Sequence, residues 1–295
     1  MANTATAPKG APAKAKQSKG FTGIKSGFAV IVFCWILAEC VYVFVFGHKS
    51  HFADAATGFS GGLQDFSFFT DGDHEPLGGD LMGTVYKGGF IVPIIWTLFF
   101  TVIALAIERT FAIRTANGKG NLAKFAANIK SALKVQDLAK ARQLCDQQRG
   151  SVANVVLAAL DEYEKQLGET VEVEKKVLSI QKTVEEATAL EMPMMQENLP
   201  IVGSIVTLGT LTGLLGTVMG MIKSFSAMGS GEGGADSSAL SVGISEALVN
   251  TASGIATGAS AVICYNFFTN KIDKLTFAID ELGFTIVETF KTSQK

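Results

Sequence analysis

An all-α, polytopic membrane protein with four membrane-crossing helices and a separate charged helical domain is the fold class this sequence predicts. Three observations carry it. The 295-residue chain is 48% hydrophobic and 18% charged, with a mean hydropathy of +0.32, and its apolar residues are clustered. Four clusters, at 28–46, 88–107, 199–222 and 239–268, match the roughly 20 residues a helix needs to cross a bilayer. Between the second and third, residues 109–198 are charged, poor in glycine and apolar at helical spacing. The net charge of −2 says nothing about nucleic acid, and no basic–aromatic patch suggests nucleic-acid binding. The four cysteines show no metal-ligand spacing, and Cys34, Cys40 and Cys264, in apolar segments, read as small buried hydrophobes.

In chain order, residues 1–26 carry lysines and no acid, and read as a disordered basic tail. Residues 27–87 hold the first span and an acidic, glycine-rich loop. A basic tail before an apolar run also resembles a signal peptide. The run exceeds a usual signal core and is interrupted by Glu39, which favours a retained helix. Glu39 either pairs with a neighbouring helix or makes a local polar contact, and is given no transport role. The loop contains His48, His51 and His74; a His-x-x-His pair beside acids can bind zinc, but solvated loop histidines are the simpler account and no metal site is assigned. Residues 88–108 form the second span, with Pro93 tolerable in its first turns.

Within 109–198, Leu133, Leu138, Ala141 and Leu144 fall near one face, and the stretch reads as helices joined by short turns. No nucleophile–base pair or phosphate loop is present in it, so an enzyme is not expected and no cofactor is implied. Residues 199–222 carry two GxxxG steps, Gly209/Gly213 and Gly216/Gly220, which favour close helix packing. Thr207, Thr210 and Thr217 lie beside that small-residue face. Residues 223–238 read as a polar, glycine-rich turn, and 269–295 as a charged amphipathic C-terminal helix.

The span at 239–268 carries the chemistry. Glu246, Asn250, Ser253, Thr257 and Ser260 recur at offsets of about 4, 3, 4 and 3, one face of a helix. Gly243, Ala247, Gly254, Gly258 and Ala261 form a second, small-residue face. An acid at membrane depth is costly and usually faces a bundle interior or a water path, where it handles ions. The alternative is a snorkelling Glu246 above hydroxyls bonded to their own backbone. The continuous stripe beneath the carboxylate favours a helix lining a polar path. By helix rise alone, Glu246 and Thr217 each lie about six residues, roughly 9 Å, outward of their segment centres, and so can share a level. Lysine and arginine asymmetry places both termini and the 109–198 domain in the cytoplasm.

Three stretches resemble a known family. GLLGTVMGMIKSF at 213–225 is similar to the signature of the second core helix of the MotA/TolQ/ExbB proton-channel family. ISEALVNTASGIATGASAVICYNFF at 244–268 resembles its third core helix, closest to ExbB. IERTFAIR at 107–114 and ARQLCDQQRGSVANVVLAAL at 141–160 resemble parts flanking and filling its cytoplasmic domain. The resemblance implies an inner-membrane energy transducer forming a homopentameric pore. That pore would surround the single-span helices of an ExbD-like partner and act on a TonB-like protein. It matches Glu246 to the pore carboxylate and Thr217 and Thr251 to pore-associated threonines. Thr251 points about 140° from Glu246 on the same helix, toward a helix seam. Thr210 stands where the family often has proline, and the first span is additional to the three of ExbB and TolQ. A TolQ-like envelope-maintenance subunit, a MotA- or gliding-type stator, or a structural scaffold without ion conduction are the alternatives. No internal repeat supports a secondary transporter.

Overall fold

The computed structural model describes residues 27–52, 77, 80–229 and 237–294. The basic tail, most of the acidic loop with His74, and residues 230–236 lie outside these described residues. Among the described residues every regular element is helical: α1 (Gly27–Val41), α2 (Leu81–Tyr86), α3 (Ile91–Asn117), α4 (Leu122–Lys134), α5 (Leu138–Gln148), α6 (Ser151–Leu167), α7 (Val173–Gln196), α8 (Leu199–Gly229) and α9 (Ser237–Ser293). Four helical runs are long and apolar enough to cross a membrane: Gly27–Phe46, the run from Ile91, Leu199–Ser226 and the run from Leu240. The chain divides into two compact units, one of Thr115–Thr188 with Ala278–Lys295, the other of Thr22–Arg114 with Ala189–Phe277.

The second unit is the apolar bundle. Val30, Cys34 and Ala38 recur every fourth residue on the buried side of α1, while Phe28, Phe33, Ile36 and Phe44 point outward. Val30 and Cys34 join Val102 and Leu105 of α3, Val202 and Ile205 of α8 and Ala261 of α9 in one core. The additional first helix is therefore a full member of the bundle. It ends in a single π-helical turn, Tyr42–Phe46, closed by the Gly47 amide donating to Tyr42 O at 2.9 Å. Tyr42 Oη donates to Tyr86 O at 2.8 Å, and the Tyr42 and Tyr86 rings stack at 4.8 Å, tying this turn to α2. On α3, buried Thr97 and Thr101 donate to Pro93 O and Thr97 O at 2.7 and 2.8 Å, so neither hydroxyl is left unpaired among apolar neighbours. Cys40, expected to be buried, is exposed on the outside of α1; it lies on the flank away from the Val30–Cys34–Ala38 seam.

Turn chemistry sets the other unit. Asn121 and Asp137 cap two successive helices: the Asn121 side chain accepts from Ala123 N at 2.9 Å at the start of α4, and Asp137 accepts from Lys140 N at 2.9 Å at the start of α5. Because Gln136 (φ 58°) and Asp137 break the chain there, Leu133 and Ala141 belong to different helices. The buried seam of α5 is Ala141, Cys145 and Gln148, not the single Leu133–Leu144 face expected. Gly118 (φ 81°) and Gly150 (φ 89°) occupy left-handed backbone where the chain reverses. Ile279, Leu282, Ile286 and Phe290 bury the C-terminal part of α9, with Tyr163 of α6 edge-on to Phe290 at 4.8 Å.

Candidate functional site

The site is built on the antiparallel seam of α8 and α9. A methyl added to Gly213 would sit 3.0 Å from Gly254 Cα, and one on Gly209 3.2 Å from Gly258 N. One on Gly220 would sit 2.8 Å from Gly243 O, and one on Gly216 2.7 Å from Asn250 Cγ. All six glycines singled out for packing thus line one seam, where hydrogen replaces a side chain and the backbones touch. Gly243, Ala247 and Ala261 are buried with them.

This contact fixes the register. The Thr217 and Thr251 hydroxyls are hydrogen-bond partners across it, and Thr251 Oγ1 also reaches Ala247 O at 3.0 Å. Two arrangements use each proton once: Thr217 donates to Thr251 and Thr251 to Ala247 O, or Thr251 donates to Thr217 and Thr217 to Gly213 O. Thr217 Oγ1 also lies 3.2 Å from Gly213 O. Glu246 is matched instead with Lys223, whose Nζ lies 3.4 Å from its Oε2. Glu246 and Thr217 therefore do not share a level: the ion pair lies about five residues, roughly 8 Å, outward of the threonine pair. The apolar run that marks this span ends at Ile222, but the helix does not. Lys223, Ser224 and Phe225 continue the helix to Gly229, with buried Ser224 donating to Gly220 O at 3.0 Å, and this moves the midpoint of α8 outward.

Glu246, Asn250 and Thr257 of the polar stripe are buried within the single chain, at 7%, 1% and 2% exposure. Asn250 Nδ2 donates to Gly88 O, just before α3, at 2.9 Å, while its Oδ1 is buried with no hydrogen-bond partner among the described residues. Thr257 donates to Ser253 O at 2.9 Å and Ser260 to Ala256 O at 2.8 Å. These lower hydroxyls are satisfied by their own helix, so the groups held from outside α9 are Glu246, Asn250 and Thr251. On the outer side of α8, an open groove of about 600 Å³ runs past Thr217, bordered by Leu214, Val218, Met221, Ile222 and Phe225.

Two further polar clusters occupy the same unit. Beyond the outer ends of the spans, His51 Nδ1 and Asp80 Oδ2 are 2.7 Å apart. The hydrogen bond with His51 holds the Asp80 carboxyl below its ordinary range, aided by the Met82 amide. Near the other end of α3, Arg109 is fully buried and bonded to the Glu108 carboxylate. Its Nη1 donates to Met194 O and Met195 O, each at 3.3 Å, so it caps the last turn of α7, where carbonyls lack intrahelical partners. Glu39 of α1 carries two buried carboxylate oxygens, and the polar group near them is the Trp35 side chain one turn earlier.

Lys223, Gly88 and the Glu108–Arg109 pair escaped the sequence reading as functional groups. Lys223 had one available signal: a lone cation within the same apolar region as Glu246. Gly88 contributes a backbone carbonyl, which no residue type reveals.

Residues 148–281 match the family described as the MotA/TolQ/ExbB proton channel family, a range that includes both halves of the seam. Over 86 residues, 29% of this chain and 41% of the relative, the sequence is 37% identical to an ExbB-like biopolymer transport protein of Synechocystis sp.. Over 95 residues, 32% of this chain and 64% of the relative, it is 37% identical to the biopolymer transport protein ExbB of Helicobacter pylori. The chain thus spans less than two thirds of the length of each of these relatives.

Proposed function

We propose that this chain, whose residues 148–281 match the MotA/TolQ/ExbB proton channel family, is an ExbB-like channel subunit of an inner-membrane motor. In this reading it oligomerises, as a pentamer, around the membrane helices of an ExbD-like partner. The complex draws on the proton-motive force, about 2.3 kcal/mol per charge per 100 mV, and passes force to a TonB-like protein that opens outer-membrane transporters. Its work is ion movement and mechanical transmission, with no covalent reaction of its own. Both termini and the 115–188 unit lie in the cytoplasm, by the distribution of lysine and arginine.

The observation that carries the reading is the buried carboxylate of Glu246, with Asn250 one turn inward and the Thr217–Thr251 pair beyond it, on one seam of two apolar helices. Protons entering from the periplasm load the partner's membrane acid near this polar stretch. Neutralised, the partner helix moves past Thr217 along the open side of α8; release to the cytoplasm resets it.

The test is growth of the parent strain on a siderophore that requires TonB-dependent uptake, comparing wild type, Glu246→Ala and Glu246→Gln at matched protein levels. Loss of growth in both variants, with the complex still assembled, is the expected result. Normal growth in a strain that needs this protein for uptake would reduce Glu246 to a structural residue. Normal uptake after deletion of the whole protein would turn the assignment toward a TolQ- or MotA-type stator.

A further inference from the structure

Glu246 has the attributes of a site for a metal cation: a carboxylate at membrane depth, 7% exposed, with amide and hydroxyl oxygens one to two turns inward. Yet the position a cation would take beside Oε2 holds the Lys223 ammonium, at 3.4 Å. The oxygens a hard cation would recruit, which needs several, are also turned to other tasks. Thr251 is bonded to Thr217 and Ala247 O, and Asn250 is anchored by its amide to Gly88 O. Lys223 sits on α8 in the register set by the glycine contacts, and its side chain is 41% exposed, so it reaches Glu246 from the open edge of the seam.

We propose that Lys223 is the resident counter-cation of Glu246 and an ion-selectivity determinant of this chain: it closes the carboxylate to sodium and potassium, and makes it a fixed, paired charge beside which only protons pass. The inference rests on Glu246 lining the proton path of the proposed function and adds which ion that path admits. Two cations cannot share one carboxylate at this range without strong repulsion. An ammonium tethered to α8 is always present, whereas sodium must compete for entry.

The probe is dicyclohexylcarbodiimide, an apolar reagent that adds to protonated carboxyls and is blocked where a cation holds the carboxylate. The purified full-length chain is treated at pH 7 in sodium, potassium or choline chloride, and the peptide carrying Glu246 is scored by mass, with Glu246→Gln as background. Wild type should label slowly and at the same rate in all three salts. Lys223→Met should label about tenfold faster, since an opposite charge within 4–6 Å favours the ionised carboxyl by at least that factor, and sodium should now slow it. Lys223→Arg should behave as wild type. Fast labelling of the wild type, or its protection by sodium, would overturn the proposal whatever the variants do. So would wild-type behaviour of a folded Lys223→Met. The growth assay above fails independently: if Glu246→Ala grows normally, the channel reading falls while the labelling result still reports what occupies the site.

Discussion

At the scale of single residues, the bundle separates buried polar groups that are held from those that are not. Arg109 is fully buried, yet it meets Glu108 and two carbonyls of α7. Removing one member of such a pair leaves the other charge uncompensated, so Arg109→Ala should cost about 3–5 kcal/mol, read as a lower unfolding midpoint of the detergent-solubilised protein. Glu39 is the opposite case: both its oxygens are buried, and the single N–H of Trp35, one turn earlier on α1, can serve only one of them. Glu39→Leu should raise that midpoint, because an unsatisfied buried polar group costs about 1–3 kcal/mol; a fall would show that the carboxylate makes a stabilising contact. Glu39 lay in plain view in the sequence as an acid interrupting an apolar run. Arg109 did not, since an arginine at the end of a span ordinarily marks only the membrane boundary.

At the scale of elements, the α8–α9 seam is the feature on which the site depends. Both glycine faces were legible, because GxxxG spacing is a property of one helix read alone. In the structure Gly213 faces Gly254, and Gly209 faces Gly258. Gly213→Val would place carbon against Gly254 Cα and Asn250 O, each 3.0 Å from the first added atom, and should cost about 1–3 kcal/mol as overpacking. The loss should reach the threonine pair. With Thr217→Cys and Thr251→Cys in a background free of other cysteines, oxidative cross-linking should be efficient, and adding Gly213→Val should cut its yield severalfold. An unchanged yield would mean that the seam absorbs the side chain without shifting Thr217 from Thr251.

Across the whole molecule, the two units obey different solvents. In the apolar bundle, large side chains such as Phe28, Phe33, Leu214 and Ile263 face outward, and helix contacts rely on small residues, because lipid offers no drive to bury apolar surface. In the 115–188 unit the amphipathic pattern is that of a water-soluble helical domain, with Ile129, Leu133, Val156 and Leu160 buried and Arg142 bonded to Asp161 and Glu164 outside. The Cys145 thiol, buried there, is pushed up to about 12 by loss of solvent. At pH 8 it stays protonated, so maleimide should leave Cys145 unmodified in the folded protein and modify it after denaturation. Modification of the native protein at a rate near that of a free thiol would indicate that this unit opens.

Periodic features could be read along single helices: four apolar runs of spanning length, an amphipathic charged stretch, a polar stripe through Glu246 and two small-residue faces. Each is carried by the spacing of residues along one helix, and such spacing survives without a partner. The tertiary structure alone decided how the helices slide against one another. Helix α8 continues through Lys223 to Gly229, and the glycine contacts then set Lys223 opposite Glu246 and Thr217 opposite Thr251. Likewise, the carbonyl of Gly88 meets Asn250 across a separation of 162 residues. Register is a relation between two helices, fixed by backbone contact along their whole length, and no pattern within either one contains it.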